Sequence, residues 1–342
     1  MFRNQNIVFA VFCTLAFSTA GLGKVAAQES QKIWDSAPHS AFTDLIHWNG
    51  KLYCAFRIGN DHVPRQAGDE GRIQLIVSSD RGKTWSDRVT LAEPKIDLRD
   101  PKLSVTPDGR MMILFAGSNY DGSTLKGRDC RVVFGKPDGT FSRQQVIEFN
   151  SELADRFDWL WRVSWAGDGT GYGVIYQPEK EKWGLHLVKT RDGVHYELVK
   201  TFDMPGKPNE STIRFDGEKM WIVARNEARN GHLGQSVPPY TEWNWVDVDR
   251  RLGGPDMERL PDGRWLMGTR EYGDVTRTVY GILPASGQFQ KVGTLPSGRD
   301  TSYPGIVIDG DEVLISYYSG HEGKTSIYLA RIPLVDLLNA QK

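Results

Sequence analysis

Tyr303, Glu210 and a set of arginines stand at matching places in a repeated sequence pattern. About seven residues before a series of turn glycines stand Thr43, Arg162, Glu210, Asp256 and Tyr303, with Arg99 and Asp100 slightly further before theirs. About seven or eight residues after the glycines stand Arg57, Arg225 and Arg270. A guanidinium fork binds a carboxylate or phosphate through two parallel hydrogen bonds. Carboxylates and a phenol beside such forks would make an anion pocket with groups able to exchange protons. The same residue types would also suit a ring of salt bridges filling a channel, and sequence position alone leaves both readings open.

The elements that must position these residues are hairpins. Six copies read as apolar strand, short turn ending in glycine, apolar strand, with turn glycines Gly50, Gly109, Gly169, Gly217, Gly263 and Gly310. Asn-Gly and Asp-Gly between apolar runs are strong hairpin signals. Weaker strand-turn-strand stretches lie between the copies, so each repeat holds about four strands. Six such units predict an all-β, six-bladed β-propeller, with Ser326–Leu334 pairing with N-terminal strands to close the ring. A β-sandwich would not require so regular a repeat. In a propeller the strand ends opposite the hairpin turns surround the channel on one face, which is where the residues above converge.

The flanks and composition narrow the setting. Arg3, the apolar run Ile7–Phe17 and the small residues Val25-Ala26-Ala27 read as a secretory signal peptide over 1–27, too short for a transmembrane span. Residues 28–342 then form one domain, exported to a periplasm or outside the cell, with no membrane span left after cleavage. The chain carries 42 Lys+Arg against 43 Asp+Glu, which argues against a nucleic-acid partner that needs a large basic field. Cleavage leaves Cys54 and Cys130, free to pair or not in an oxidising compartment.

One turn is more specific. Ser78-Ser79-Asp80-Arg81-Gly82-Lys83-Thr84-Trp85 fits S-x-D-x-G-x-T-W, in which the aspartate organises the turn and the tryptophan enters the blade. This resembles the Asp-box of the sialidase (neuraminidase) superfamily, where it is a structural turn away from the catalytic face. Asn209-Glu210 followed by Ala224-Arg225, Asp100-Pro101, and Ser302-Tyr303-Pro304-Gly305 leading to Asp309-Gly310 and Tyr317-Tyr318 are similar to motifs of the retaining exo-sialidases. The resemblance covers nearly all of the chain after residue 27.

The resemblance implies the same six-bladed propeller and a retaining, exo-acting glycoside hydrolase that removes a terminal acidic sugar from glycans. It implies Tyr303 as nucleophile, Glu210 as its activator, Arg57, Arg225 and Arg270 as ligands of the substrate carboxylate, and Asp100 as a hydroxyl-orienting group. A neutral phenol suits a substrate whose anomeric carbon bears a carboxylate, because a carboxylate nucleophile would be repelled. The acid would come from the loop Gly59–Gly71, with Asp69 favoured and Asp61 and Glu70 competing. The chain departs from the family at His39-Ser40-Ala41-Phe42-Thr43-Asp44, where the family's R-I-P motif supplies a clamp arginine. Arg99 or Arg162 would then have to reach the carboxylate, or the sugar is another 2-keto acid or a uronate. Arg277 competes with Arg270 as third clamp residue.

Trp159, Trp161 and Trp165 suit either sugar stacking or inter-blade packing, and His62 and His321 suit either the pocket or solvated turns. The seven histidines show no metal-ligand spacing, and no metal or cofactor is expected. A phosphate-binding loop and a G-x-S-x-G elbow are missing from the sequence. A monomer is expected. The reading from another class is a catalytically silent propeller that binds acidic glycans.

Overall fold

The computed structural model describes residues 29–150, 153, 158–178 and 183–340; the leader expected over 1–27 lies outside them. The described chain is almost all strand, arranged in six sheets. Each sheet opens with a strand of one predicted hairpin: His39–Trp48, Asp97–Val105, Trp159–Trp165, Pro208–Asp216, Asp256–Arg259 and Thr301–Asp309. These first strands touch one another in sequence around a ring, and the sixth returns to the first. The result is a six-bladed β-propeller with these strands lining the centre.

All six turn glycines have positive φ, from 60° to 88°. At Asn49-Gly50 both central residues are left-handed, the twist-matching geometry of a two-residue hairpin that closes Trp48 on Lys51. The 78–85 turn is held by Asp80, which accepts from the Thr84 amide at 2.9 Å and the Thr84 hydroxyl at 2.6 Å.

The ring closes as the sequence suggests. Glu29–Trp34 pairs antiparallel with Ser326–Pro333 and forms the outer strand of the sixth blade, with Glu29 opposite Arg331. Two details go beyond the repeat pattern. Blade three has a fifth strand, Glu148–Phe149, running parallel to His195–Phe202. A short helix, Leu334–Asn339, ends the described chain and buries Leu337. No helix among the described residues is long and apolar enough to cross a membrane. Cys54 and Cys130 are buried free thiols in blades one and two.

The central strands are irregular where the site lies. Register shifts fall at Ala41/Asp44, Arg99/Lys102, Leu160/Val163, Pro208/Ser211 and Ser302/Gly305. Phe42, Asp100 and Tyr303 within these bulges have φ of 62°, 52° and 53°, and Gly254 has 54° in blade five. Bulges re-aim side chains, and here they recur at one level of successive blades.

Candidate active site

The bulge level gathers Phe42, Asp100, Trp161, Glu210 and Tyr303. The Tyr303 hydroxyl donates to Glu210 Oε1 at 2.6 Å. Arg225 Nη1 lies 2.6 Å from the same Oε1 and 3.1 Å from the phenol oxygen. The Gly254 amide donates to Glu210 Oε2 at 3.0 Å, so both carboxylate oxygens are held. Gly254 also makes room for the Tyr303 ring. A Cβ there would sit 2.5 Å from Tyr303 Cγ, so only glycine lets the ring lie against this backbone.

Electrostatics keep the pair in opposite states. Burial pushes the Glu210 carboxyl up, but Arg225, the Tyr303 hydroxyl and Arg270 outweigh it and hold the group below its ordinary value. Burial pushes the Tyr303 phenol well above its ordinary value, the Glu210 charge pushes the same way, and Arg225 and Arg270 only partly oppose them. The resting pair is therefore a neutral phenol donating to a carboxylate. Asp100 is buried, and burial lifts its carboxyl above the ordinary range despite Arg99 and Lys102.

Arg270 lies over the Tyr303 ring at 5.4 Å, whereas Arg277 bonds the Ser297 carbonyl, so Arg270 is the arginine of this site. The walls are aromatic. Phe42 stands edge-on to Tyr303 at 5.2 Å and to Tyr318 at 5.5 Å, and Trp161 is edge-on to Tyr303 at 5.7 Å. Phe42 occupies the stretch that lacks the clamp arginine, and Arg99 lies over its ring at 5.3 Å.

Other expected site residues sit elsewhere. Arg57 is fully buried, with its guanidinium on Asp97 at 2.6 Å and on the Asp61 carbonyl at 2.8 Å, so it braces the loop rather than facing the site. Arg162 is buried one level further along the channel, between Asp44 at 2.8 Å and Asp256 at 3.5 Å. Asp256 also holds Arg214 at 2.7 Å. This linked set of Asp44, Arg162, Asp256 and Arg214 is salt bridging of the kind that the residue types allowed. Asp69 accepts from Asn60 at 2.7 Å in a rim groove it shares with Glu70, Trp34 and Pro94. Its loop reaches the site level through His62, whose ring stands 5.2 Å from Phe42. Trp159 stacks on Tyr176 and Trp165 bonds Ser104, both as packing residues, and His321 packs on Tyr328.

Each site arginine is matched by carboxylates: Arg225 by Glu210 and Glu227, Arg270 by Asp300 at 3.5 Å, Arg99 by Asp97 and Asp100 at 3.5 Å. The site is therefore far closer to neutral than a three-arginine clamp. Asp300, Tyr318 and Lys102 are site residues that spacing did not single out. Tyr318 donates to Asp300 at 2.7 Å, and Lys102 lies 4.7 Å over Trp161 and 5.8 Å over Tyr303. Pro101-Lys102 following Asp100 was the available signal for the lysine.

No protein-family model matches the chain, and no curated protein matches it in sequence. Solved structures match it in fold. A protein of unknown function from Dyadobacter fermentans aligns with a TM-score of 0.77 and 18% identity, covering 89% of this chain and 98% of that one. The sialidase of Trypanosoma rangeli in complex with the inhibitor DANA aligns with a TM-score of 0.69 and 10% identity, covering 92% of this chain and 61% of that one. The NanB sialidase of Streptococcus pneumoniae aligns at 0.67 and 10% identity, covering 90% and 71%. The chain thus has the six-bladed fold of the sialidase propellers.

Proposed function

We propose that the protein is an exported, retaining exo-glycosidase acting on a terminal acidic sugar, with Tyr303 as nucleophile and Glu210 as its base. The observation that carries this reading is the 2.6 Å hydrogen bond from the Tyr303 hydroxyl to a Glu210 carboxylate held below its ordinary value. A phenol so buried is a poor nucleophile until its proton leaves, and Glu210 is the group in place to take it. In the first step the phenol oxygen would bond to the anomeric carbon as the bond to the leaving oxygen breaks. The phenol proton passes to Glu210, and the leaving oxygen gains a proton from an acid. Water would then attack the anomeric carbon on the face the leaving group vacated, giving a proton to the deprotonated loop acid, while Glu210 returns its proton to the departing Tyr303 oxygen, so that all three groups are restored.

Arg225 and Arg270 are the groups for the substrate carboxylate, with Arg99 beyond Phe42. Because these arginines already face carboxylates, binding would involve sharing them rather than filling an open cationic clamp. We place leaving-group protonation on the Gly59–Gly71 loop. Asp61, next to His62, is nearer along the chain to the site contact than Asp69.

The test is turnover of aryl glycosides of N-acetylneuraminic acid, other 2-keto sugar acids and uronic acids by the protein lacking residues 1–27. Turnover with a sugar adduct on Tyr303 in mass spectrometry, lost in Tyr303→Phe, is the expected result. Inversion of configuration would overturn the tyrosine mechanism. The missing clamp arginine and the paired arginines favour one other reading, a silent propeller that binds acidic glycans. That reading predicts unchanged affinity in Tyr303→Phe and no turnover of any member of the panel.

A further inference from the structure

We infer that His39, His62 and Asp300 form a binding site for a divalent transition-metal ion of the zinc class, on the wall of the tyrosine site. His39 Nε2 lies 3.4 Å and His62 Nδ1 3.1 Å from the same oxygen, Asp300 Oδ2. All three donor atoms lie within 4.8 Å of one another. Tetrahedral zinc with bonds of about 2.0–2.2 Å separates its ligand atoms by roughly 3.3 Å, so two of the three edges already have that length. The third closes by a small rotation of His62, a half-exposed side chain on the Gly59–Gly71 loop.

The three residues come from three places: the start of blade one's first strand, the loop after its second strand, and the approach to blade six's first strand. That is why histidine spacing along the chain gave no sign of them. The carboxylate is oriented for one-oxygen ligation. Its other oxygen, Oδ1, accepts from the Tyr318 hydroxyl at 2.7 Å and faces Arg270 Nη2 at 3.5 Å. Outer partners of this kind fix a ligand's direction. Burial grades outward from His39, which is 8% exposed, to His62, so the open coordination side faces solvent.

Two imidazole nitrogens and one carboxylate oxygen select zinc and its transition-metal neighbours over calcium or magnesium, which prefer all-oxygen shells. Phe42 touches both histidine rings and Tyr303, at 5.2 Å from His62, 6.3 Å from His39 and 5.2 Å from Tyr303. A fourth ligand would therefore enter beside the Phe42 wall of the tyrosine site. An oxygen of an acidic or hydroxylated sugar fits that position, as does water.

The experiment is zinc titration by calorimetry on chelator-treated protein lacking residues 1–27, with cobalt(II) absorption as a second probe of nitrogen ligation. The expected result is saturable binding of one ion per chain. His62→Ala, Asp300→Asn and His39→Ala should each weaken it at least about tenfold, the lower range for disturbing even an outer partner. His62→Ala leaves the packed strands untouched and keeps the test independent of folding. Tyr303→Phe should bind zinc unchanged, which separates this inference from the glycosidase reading. His195→Ala, at the exposed His195–Asp192–Glu148 cluster, serves as the remote control. Absence of saturable binding, or binding that His62→Ala and Asp300→Asn leave intact, would overturn the assignment and leave a plain hydrogen-bonded His-Asp-His cluster.

Discussion

Gly254 offers a way to weigh a steric contact against a backbone cost. Alanine at this position meets two penalties. The first is left-handed backbone, φ 54°, which costs an L-residue about 1–2 kcal/mol. The second is the ring of Tyr303: the new Cβ would lie 2.5 Å from Cγ and 2.7 Å from both Cδ atoms, where ordinary contact begins at 3.4 Å. The ring would have to retreat by about 1 Å, and overpacking of this kind costs about 1–3 kcal/mol. Gly217 supplies the control. Its φ is 60°, and a Cβ there meets nothing within 4 Å, so Gly217→Ala pays the backbone cost alone. Urea unfolding of both variants, with m unchanged, should therefore show Gly254→Ala less stable than Gly217→Ala by about 1–3 kcal/mol. If the protein turns over acidic glycosides, kcat/KM of Gly254→Ala should also fall about a hundredfold, the usual cost of misplacing a reacting group by about 1 Å. Equal stability losses in the two variants would refute the argument that Tyr303 is held by close approach to residue 254.

Three further outcomes are expected. Glu210→Gln should be less stable than the parent at neutral pH, with the gap closing in acid. The folded carboxyl lies below its unfolded value of about 4.3, so its ion pair is fully present above that pH and is lost as pH falls through the lower folded value; urea midpoints that keep a constant gap down to about pH 3 would contradict this. Arg162→Ala leaves Asp44 and Asp256 buried without their shared cation and should cost about 3–5 kcal/mol by chemical denaturation, against a small loss for the exposed Arg65→Ala. Cys54 and Cys130 should resist a thiol reagent until the protein unfolds, because both are buried and burial pushes the Cys130 thiol up to about 12; rapid labelling of the native protein would show the blades opening.

The repeat was legible because its signals are local. Asn-Gly and Asp-Gly turns set six hairpins, and a fixed distance from each glycine carries a residue to the same level of its blade. That distance places Glu210, Arg225, Arg270 and Tyr303 together without knowledge of any contact. It could not decide which way a guanidinium turns, because the decisive partner is distant in sequence. Arg57 and Arg162 meet the distance rule yet are claimed by Asp97 and by Asp44 and Asp256. The bulges were also hidden, and the one at Ala41/Asp44 brings Phe42 edge-on to the Tyr303 ring from the stretch that lacks the clamp arginine. Position within the loop favours Asp69, but it is His62 that the fold of the loop brings to Phe42.

The seam of the ring has a kinetic meaning. Glu29 pairs with Arg331, so the outer strand of blade six joins segments about 300 residues apart, while the other blades are built from neighbours along the chain. Closing a loop of that length costs only about 1.5 kcal/mol more entropy than closing one of about 50 residues, since the cost grows with the logarithm of length. The penalty falls on order of events rather than on final stability. A ribosome makes Glu29–Trp34 before the other five blades and its three blade-six partners, Thr301–Asp309, Glu312–Ser319 and Ser326–Pro333, after them, so blade six is only its outer strand until synthesis is nearly finished. If the protein is exported as proposed, that delay would serve it, because the architecture withholds the finished ring until the last strand arrives.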